Sequence, residues 1–239
     1  MVGYPLNTYY GYEVVGIFQT QAEVDAAPQQ LGGGNTNTAF PGSFRYRDVS
    51  GPDGKPDGVI DARDRTVIGD PNPDFTYGLN FDLQYKGFDL QLFFYGVQGK
   101  QNFMWSKWFD MFPNFGGMSR ETLYNSWLPD GSRPNAAAPI QLSSASFSTS
   151  AAVNSYYVED ADYLRLRNVQ VGYTFKSDLL SKMKISRARI YLQATNIFTI
   201  TKYPGLDPEV MTNDDRASGI DLNNFPTVKQ VSVGANLTF

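Results

Sequence analysis

The sequence predicts an all-β fold built from long antiparallel strands, and three observations support this fold class. Apolar and polar residues alternate with a period of two over several long segments. Aromatic residues make up 15% of the chain, with 17 Phe and 15 Tyr, and such side chains pack well on pleated strands. The connections between these segments are either very short or very long, as in strands that cross an outer membrane. The sequence therefore predicts antiparallel transmembrane β-barrel strands with long extracellular loops.

The clearest element is a hairpin that begins at Phe75. From Phe75 to Tyr85 the odd positions are all apolar, while the even positions are polar or small. Lys86-Gly87 then supplies a tight turn, and the alternation resumes at Phe88. We expect a hairpin with long arms, with its apolar face toward lipid and its polar face toward a lumen.

Further strands are predicted over 163–175, 187–198 and 230–239, and a less regular one over 10–18. The alternation slips within 164–167, which indicates a β-bulge or a change of environment. Six such strands are too few to close in a membrane, because closed barrels need at least about 8 and open edges are excluded from hydrocarbon. The chain must belong to a larger barrel or pair with more chain.

Composition excludes several function classes. The net charge of −4 leaves no basic surface for a phosphate backbone, so we expect no nucleic acid partner. The absence of Cys and His excludes thiol nucleophiles, His-based triads and Cys/His zinc sites. No apolar run reaches 18 residues and no secretory leader is present. Since an outer-membrane protein needs a leader, we expect the true N-terminus to lie upstream of residue 1.

Ten short segments together carry a family resemblance. In chain order they are Tyr9–Tyr12, Gly16–Gln19, Pro41-Gly42, Tyr46–Val49, Asp57–Asp61 with Asp64-Arg65, Ile68–Phe75, Tyr163–Val169, Gly172-Tyr173, Ala194–Phe198 and Tyr203–Pro208. In this order and spacing they resemble the C-terminal portion of the SusC/RagA family of TonB-dependent (TonB-linked) outer-membrane transporters of Bacteroidetes. The resemblance covers almost the whole chain.

The resemblance implies a plugged barrel of about 22 strands in the outer membrane. It also implies a SusD-like lipoprotein lid and import of glycans, oligosaccharides or peptides with energy relayed by TonB. Residues 1–239 would then be the C-terminal part of the barrel, with the plug domain, TonB box and signal peptide upstream of residue 1. The terminal Phe239 matches the signal that the barrel-assembly machinery recognises. We expect no enzymatic activity, since no residue here is expected to break a covalent bond, and no cofactor apart from the Ca²⁺ considered below; the substrate is open between glycan and peptide.

An acidic loop between residues 53 and 64 resembles a twelve-residue calcium loop. Its candidate ligands are Asp53, Asp57, Asp61 and Asp64, because Ca²⁺ prefers clustered carboxylate oxygens on a tight turn. Lys55 stands where an oxygen ligand belongs, and Asp64 replaces the usual bidentate Glu. The alternative is a series of turns in which Asp61 and Asp64 cap a short helical turn or pair with neighbouring arginines.

A dense aromatic cluster follows the hairpin. Its members are Phe103, Met104, Trp105, Trp108, Phe109, Met111, Phe112 and Phe115. Trp105, Trp108 and Phe112 are the candidates for stacking on a sugar ring or an apolar peptide side chain. The alternative is an interfacial aromatic belt or the packed base of a loop.

Two further sets of residues have structural interpretations. Arg165 and Arg167, with Glu159, Asp160 and Asp162, are expected either to line a polar lumen or to form solvated salt bridges at a strand end. Residues 119–127 are expected to form a short helix that Ser119 caps.

Two other function classes compete with transport. One is a soluble β-rich carbohydrate-binding module with a calcium-binding loop, which would fold and bind glycans in plain buffer. The other is a glycosidase that uses two carboxylates such as Asp110 and Asp130. No paired-carboxylate motif supports the second alternative.

Overall fold

The computed structural model describes residues 3–110, 118–176, 184–210 and 217–239. The chain divides into two compact units. Unit 1 comprises Met1–Asn72, Gln101–Glu159 and Met211–Asn223, and unit 2 comprises Pro73–Lys100, Asp160–Val210 and Asn224–Phe239. Unit 2 contains the long strands, whereas unit 1 is built largely from the segments that connect or precede them.

The strands of the described residues are, in chain order, β1 (Tyr9–Gly11), β2 (Val14–Ile17), β3 (Gln29–Gln30), β4 (Phe44–Tyr46), β5 (Val59–Ile60), β6 (Thr66–Gly69), β7 (Phe75–Tyr85), β8 (Phe88–Gln98), β9 (Gln101–Met104), β10 (Val158–Asp160), β11 (Tyr163–Thr174), β12 (Arg187–Thr195), β13 (Thr199–Thr201), β14 (Ile220–Asp221) and β15 (Gln230–Thr238). The α-helices are α1 (Gln21–Asp25), α2 (Ser106–Asp110) and α3 (Arg120–Asn125). Two 3₁₀ turns, Ala62–Asp64 and Ser155–Tyr157, and a π-helical turn, Phe147–Ala151, are the other helical elements of the described residues.

Unit 2 is one antiparallel sheet in the order β15-β12-β11-β8-β7, with the short β13 also paired to β11. The predicted hairpin is confirmed: β7 and β8 pair from Phe75↔Gln98 to Tyr85↔Phe88. Lys86 and Gly87 have φ values of 47° and 93°, as a two-residue hairpin turn requires. The sheet is open, since β7 and β15 each have a described partner on one side only.

Directly paired residues lie on the same side of a sheet, so the register defines its two faces. One row of paired residues crosses the five long strands on one face: Leu83, Leu90, Val171, Leu192 and Val233. The adjacent row on the other face is Asp82, Gln91, Gln170, Gln193 and Ser232. The predicted alternation is therefore confirmed as an apolar face and a polar face, each continuous across the sheet.

Two irregularities occur near one end of this sheet. The pairing of β11 with β8 shifts between Leu166 and Asn168, which confirms a bulge at the position where the alternation slips. The strand predicted over 187–198 is too long, because β12 ends at Thr195 and Asn196 adopts a φ of 54°. The chain then returns to β11 as β13, beyond the bulge.

The prediction of a sixth long strand over 10–18 is wrong. The segment is divided into β1, which pairs with β6, and β2, which pairs with β4, and both pairings contain a register shift. Between them Tyr12 is buried in the main apolar core of unit 1, together with Phe44, Tyr46, Ile60 and Ala152. The segment therefore contributes to this core and does not extend the long sheet.

A buried polar contact holds the core of unit 1 together. The amide of Gln30 donates to the Phe44 carbonyl at 2.9 Å and to Ser148 Oγ at 2.7 Å, and its oxygen accepts from the Tyr46 N–H at 2.8 Å. Burial raises the pKa of the Tyr46 phenol, which donates to the Phe147 carbonyl at 3.0 Å. All the polar atoms of the Gln30 side chain are thereby satisfied, as a buried amide requires.

The helices are short. Ser119 caps α3 as predicted, its hydroxyl accepting from the Thr122 N–H at 3.1 Å, although the helix ends at Asn125 and not at residue 127. Among the described residues, no helix combines the length and the apolar character needed to cross a membrane.

Candidate functional site

One candidate surface is the apolar face of the unit 2 sheet. β7 and β8 are each 11 residues long, which suffices for a tilted strand to cross a bilayer core. Large apolar side chains of this face are exposed, among them Leu79, Leu83, Val171, Leu192 and Val233. At the hairpin end of the same face, a separate row of paired residues consists of Tyr85, Phe88 and Tyr173. The ring centroids of Phe88 and Tyr173 lie 4.7 Å apart. An exposed apolar band that ends in aromatic rings is suited to contact with lipid.

The polar face of the same sheet forms an open depression of about 460 Å³. Carboxylate, amide and guanidinium groups line it, including those of Asp82, Gln91 and Arg187. Within it, Arg189 forms a two-point ion pair with Asp89. The two faces therefore differ in chemistry as the lipid side and the lumen side of a barrel wall do.

A buried ion-pair cluster lies at the bulged end of β11. The side chain of Arg165 is 3% exposed, and its guanidinium bonds to Asp207 and, at 2.9 Å, to Glu209. It also donates to Thr199 Oγ1 and Thr227 Oγ1, each at 2.8 Å. All the charge of Arg165 is thus compensated by the segment that follows β13.

Two more cations contact the same segment. Arg167 bonds to the second oxygen of Glu209, and Lys100 Nζ donates to the Pro208 carbonyl at 3.2 Å. Burial lowers the pKa of Lys100, although the carboxylates of Glu209 and Asp207 oppose the change. The pKa of Asp207 is lowered: burial raises it, but hydrogen bonds from Thr227 and its other donors outweigh burial. Asp207 therefore contributes stability at neutral pH that is lost only as the pH falls through this lowered pKa.

The carboxylates expected to pair with Arg165 and Arg167 have other partners. Glu159 bonds to Lys107, Asp160 accepts from the Asp162 N–H at 3.0 Å, and Asp162 accepts from the Lys100 N–H at 3.1 Å. Salt bridges between these residues were one of the two alternatives, and that alternative is wrong because a strand directs neighbours in sequence to opposite faces. Arg165 is also buried, so its salt bridges are not the solvated kind.

The acidic loop is organised by backbone donors. Asp64 is fully buried, and its carboxylate accepts from the N–H groups of Val49 and Ser50 at 2.8 and 3.1 Å and of Asp61 at 2.8 Å. Asp61 caps the 3₁₀ turn through the Arg63 N–H, and its ion pair with the Arg63 guanidinium lowers the pKa of Asp61. These contacts are those of the turn-and-cap alternative.

The other candidate calcium ligands are engaged separately or exposed. Asp57 accepts from the Val59 N–H at 3.0 Å, while Asp53 is exposed and makes no hydrogen bond to the described residues. Within the described part of the chain, no three acidic side chains are grouped as a metal site requires. The calcium site remains a prediction from the sequence.

Asp64→Ala is expected to loosen this loop. Removal of the carboxylate leaves three partly buried N–H groups without their acceptor, and an unsatisfied group costs up to about 1–3 kcal/mol when it is fully buried. Trypsin cleavage after Arg63 and Arg65 should therefore accelerate in the folded protein. Asp53→Ala is the matched control, and equal cleavage rates for the two variants would contradict this role of Asp64.

The aromatic cluster is partly packed and partly exposed. Trp105 and Trp108 are stacked, with centroids 5.9 Å apart and planes 23° apart, and Phe109 meets Trp108 edge-on at 5.2 Å. The indole N–H of Trp108 donates to the Ser150 carbonyl at 3.0 Å, so this ring is anchored in unit 1. Trp105 is 36% and Phe109 44% exposed. Phe112, with Met111 and Phe115, lies outside the described residues.

The remaining candidates have local contacts. Asp110 accepts from the Ser119 N–H and the Thr122 hydroxyl, both at 3.3 Å, whereas Asp130 accepts from the Ser132 N–H at 2.9 Å. Phe239 follows β15 and is exposed. Its role as an assembly signal remains a prediction.

Comparisons with known proteins give the relatives of this chain. It is 30% identical over 245 residues to the TonB-dependent receptor P3 of Formosa agariphila, an alignment that covers 99% of this chain and 22% of that receptor. It is 28% identical over 209 residues to the TonB-dependent receptor SusC of Bacteroides thetaiotaomicron, which covers 82% of this chain and 19% of SusC. The chain thus spans about a fifth of the length of these relatives. No family model matches it.

The fold gives the same relationship. The structure of the RagAB peptide importer in the open-open state matches with a TM-score of 0.70 and 26% identity, covering 100% of this chain and 23% of that chain. SusC and RagA are outer-membrane proteins. The apolar face, the polar face and the long connecting segments all agree with that location. The chain is therefore a segment of an outer-membrane TonB-dependent receptor of the SusC/RagA type.

Proposed function

We propose that this chain forms strands and connecting segments of a TonB-energised importer that carries an oligomeric nutrient, glycan or peptide, across the outer membrane. The observation that carries the proposal is the two-faced sheet of unit 2. Its apolar rows are suited to contact with lipid and would be unfavourable in water, and its polar rows are suited to the wall of a water-filled lumen. The relatives are receptors and an importer, so we propose a transport role and not an enzymatic one.

The open sheet supports a role within a larger barrel. Unpaired N–H and C=O groups along the outer edges of β7 and β15 would each cost several kcal/mol in hydrocarbon. More strands must therefore pair with both edges in the membrane. We propose that these strands, the plug and the TonB-contacting segment belong to the rest of the receptor, and that a SusD-like lipoprotein forms its lid. The similarity of this chain to the RagAB peptide importer and to SusC supports the lipoprotein partner.

The soluble binding-module alternative is not favoured by the described residues. Its sheet would expose apolar side chains in continuous rows across five strands, whereas soluble monomers rarely expose large contiguous apolar patches. The calcium loop that the alternative used is organised by backbone donors.

Uptake by cells tests the proposal. Cells that carry the receptor, a deletion strain and a TonB-deficient strain are each supplied with labelled oligosaccharides and labelled oligopeptides. We expect one substrate class to be taken up by the parent strain alone. Equal uptake of both classes in all three strains would contradict the import proposal, and uptake that persists without TonB would contradict its energy source.

We propose that the exposed rings of Trp105 and Phe109 contact the substrate, and that Trp108, which is stacked on Trp105, holds the Trp105 ring in place. Trp105→Ala is expected to weaken substrate binding about threefold to tenfold, because such aromatic contacts contribute about 0.5–1.5 kcal/mol. Binding is measured by calorimetry on the purified receptor with the substrate found in the uptake experiment. Tyr124→Ala, which removes another exposed ring of unit 1, is the control, and an equal effect would show that Trp105 has no specific role.

A further inference from the structure

At two positions on the polar face of the unit 2 sheet, glycine is needed because there is no room for a Cβ atom and not because the backbone conformation demands it. Gly172 in β11 and Gly234 in β15 both lack the positive φ that favours glycine. A Cβ atom at Gly234 would lie 2.3 Å from Cζ of Tyr191. A Cβ atom at Gly172 would lie 2.5 Å from Nη2 of Arg189 and 2.6 Å from Oδ1 of Asp89. Side chains from neighbouring strands therefore occupy the positions that these glycines leave open.

These side chains form a continuous contact, the register bridge, which consists of Asp89 on β8 and of Arg189 and Tyr191 on β12. Arg189 Nε donates to Asp89 Oδ1 at 3.0 Å, and the guanidinium lies 4.9 Å from the centroid of the Tyr191 ring. Gly172 and Gly234 lie directly opposite Tyr191 on the two neighbouring strands. The bridge thus crosses β11 at Gly172 and ends on β15 at Gly234.

The alternation of the sequence does not define the register of these strands by itself. A slip of one residue would exchange the two faces and is therefore excluded. A slip of two residues keeps every apolar residue of β15 on the apolar face and every polar residue on the polar face. After such a slip Tyr191 would face Ser232 or Asn236, both of which carry a Cβ. The fit of Tyr191 on Gly234 distinguishes the native register from the slipped ones.

The same kind of contact occurs at the other edge of the sheet. Tyr77 on β7 lies directly opposite Gly96 on β8, where a Cβ atom would lie 2.1 Å from Cζ of Tyr77. A slip of two residues would place Tyr77 opposite Phe94 or Gln98. Every pair of neighbouring long strands is therefore joined by a contact over a glycine. The contact over Gly96 joins β7 and β8, the contact over Gly172 joins β8, β11 and β12, and the contact over Gly234 joins β12 and β15.

We propose that Gly96, Gly172 and Gly234 set the register of the five long strands because each leaves space for a side chain from a neighbouring strand. Tyr77 lies over Gly96, the Asp89–Arg189 pair lies over Gly172, and the Tyr191 ring lies over Gly234. The register bridge thereby fixes where β15 lies against β12. This role does not depend on the substrate or on TonB. It explains why glycine, a poor strand former, occurs inside these strands without a turn.

Cysteine cross-linking tests the proposal in the receptor purified from outer membranes. The chain contains no native cysteine. Leu192 lies opposite Val233, so a disulfide between Leu192→Cys and Val233→Cys reports the native register. A disulfide between Leu192→Cys and Ala235→Cys reports a slip of two residues. Both pairs lie on the apolar face and leave the register bridge intact. Gly234→Ala is then compared with Ser232→Ala, a control on the same face of β15.

Gly234→Ala is expected to lower the ratio of native to slipped cross-linking about tenfold, because the added methyl group displaces the Tyr191 ring. Ser232→Ala is expected to leave the ratio unchanged. Tyr191→Ala adds no atoms and provides a test even if Gly234→Ala does not fold. It should lower the ratio to a similar extent, and the double variant should lower it no further. An unchanged ratio in Tyr191→Ala, or effects that simply add in the double variant, would overturn the proposal.

Discussion

Leu79→Arg is expected to prevent most of the protein from assembling in the outer membrane. Leu79 lies near the middle of β7 on the apolar face, opposite Phe94, and its side chain is 58% exposed. In a lipid-facing position near mid-bilayer, an arginine costs about 2–4 kcal/mol. This is a large fraction of the stability of a folded domain. The amount of folded receptor is measured in outer-membrane fractions by its mobility in gels run without heating.

Asn80→Arg is the matched control, one residue along the same strand. Asn80 lies on the polar face, where a guanidinium remains hydrated in a wet lumen. We expect its folded fraction to remain close to that of the parent protein. If the two variants assemble equally well, or equally poorly, the assignment of the two faces is incorrect.

Arg165→Ala is expected to destabilise the folded protein at least as strongly as Leu79→Arg. The substitution leaves Asp207, which is largely buried, and the Arg165-facing oxygen of Glu209 without their cation. Removal of one partner from a buried ion pair costs about 3–5 kcal/mol. The expected result is a large fall in the thermal unfolding midpoint of the detergent-extracted protein. The segment after β13 should also become sensitive to protease, because Arg165 holds it through three hydrogen bonds.

Arg47→Ala removes the same side chain from an exposed pair. Arg47 lies 3.0 Å from Glu13, with the two side chains 57% and 34% exposed. Such surface pairs contribute about 0–1 kcal/mol, so the unfolding midpoint should change little. An Arg165→Ala variant as stable as Arg47→Ala would show that the buried cluster does not hold this segment.

The long strands were predictable because one physical pattern governs them. β7 begins at Phe75 and ends at Tyr85, as the alternation indicates, because a strand between lipid and lumen must have an apolar and a polar face along its whole length. The bulge beside Arg167 was also predictable, since an inserted residue shifts the alternation by one. The family resemblance rested on the order of ten weak motifs, and the relatives and the fold both confirm it.

Unit 1 and the ion-pair cluster were harder to predict. The strands of unit 1 have two to four residues, too few to show a period, and their partners lie far along the chain, as when β9 pairs with β14. The carboxylate partners of Arg165 are more than 40 residues away, and local sequence favoured the nearer acids instead. A segment with two acids around a proline, Asp207-Pro208-Glu209, was the available signal.

The most direct test of the central claim is single-cysteine accessibility along β7 in intact outer membranes. Each residue from 79 to 84 is replaced in turn by cysteine and exposed to a charged maleimide that does not enter lipid. We predict that cysteines at Asn80, Asp82 and Gln84 react, while those at Leu79, Phe81 and Leu83 are protected, since only the latter face the hydrocarbon. Equal reactivity at all six positions would contradict the claim that one face of this sheet lies against the membrane.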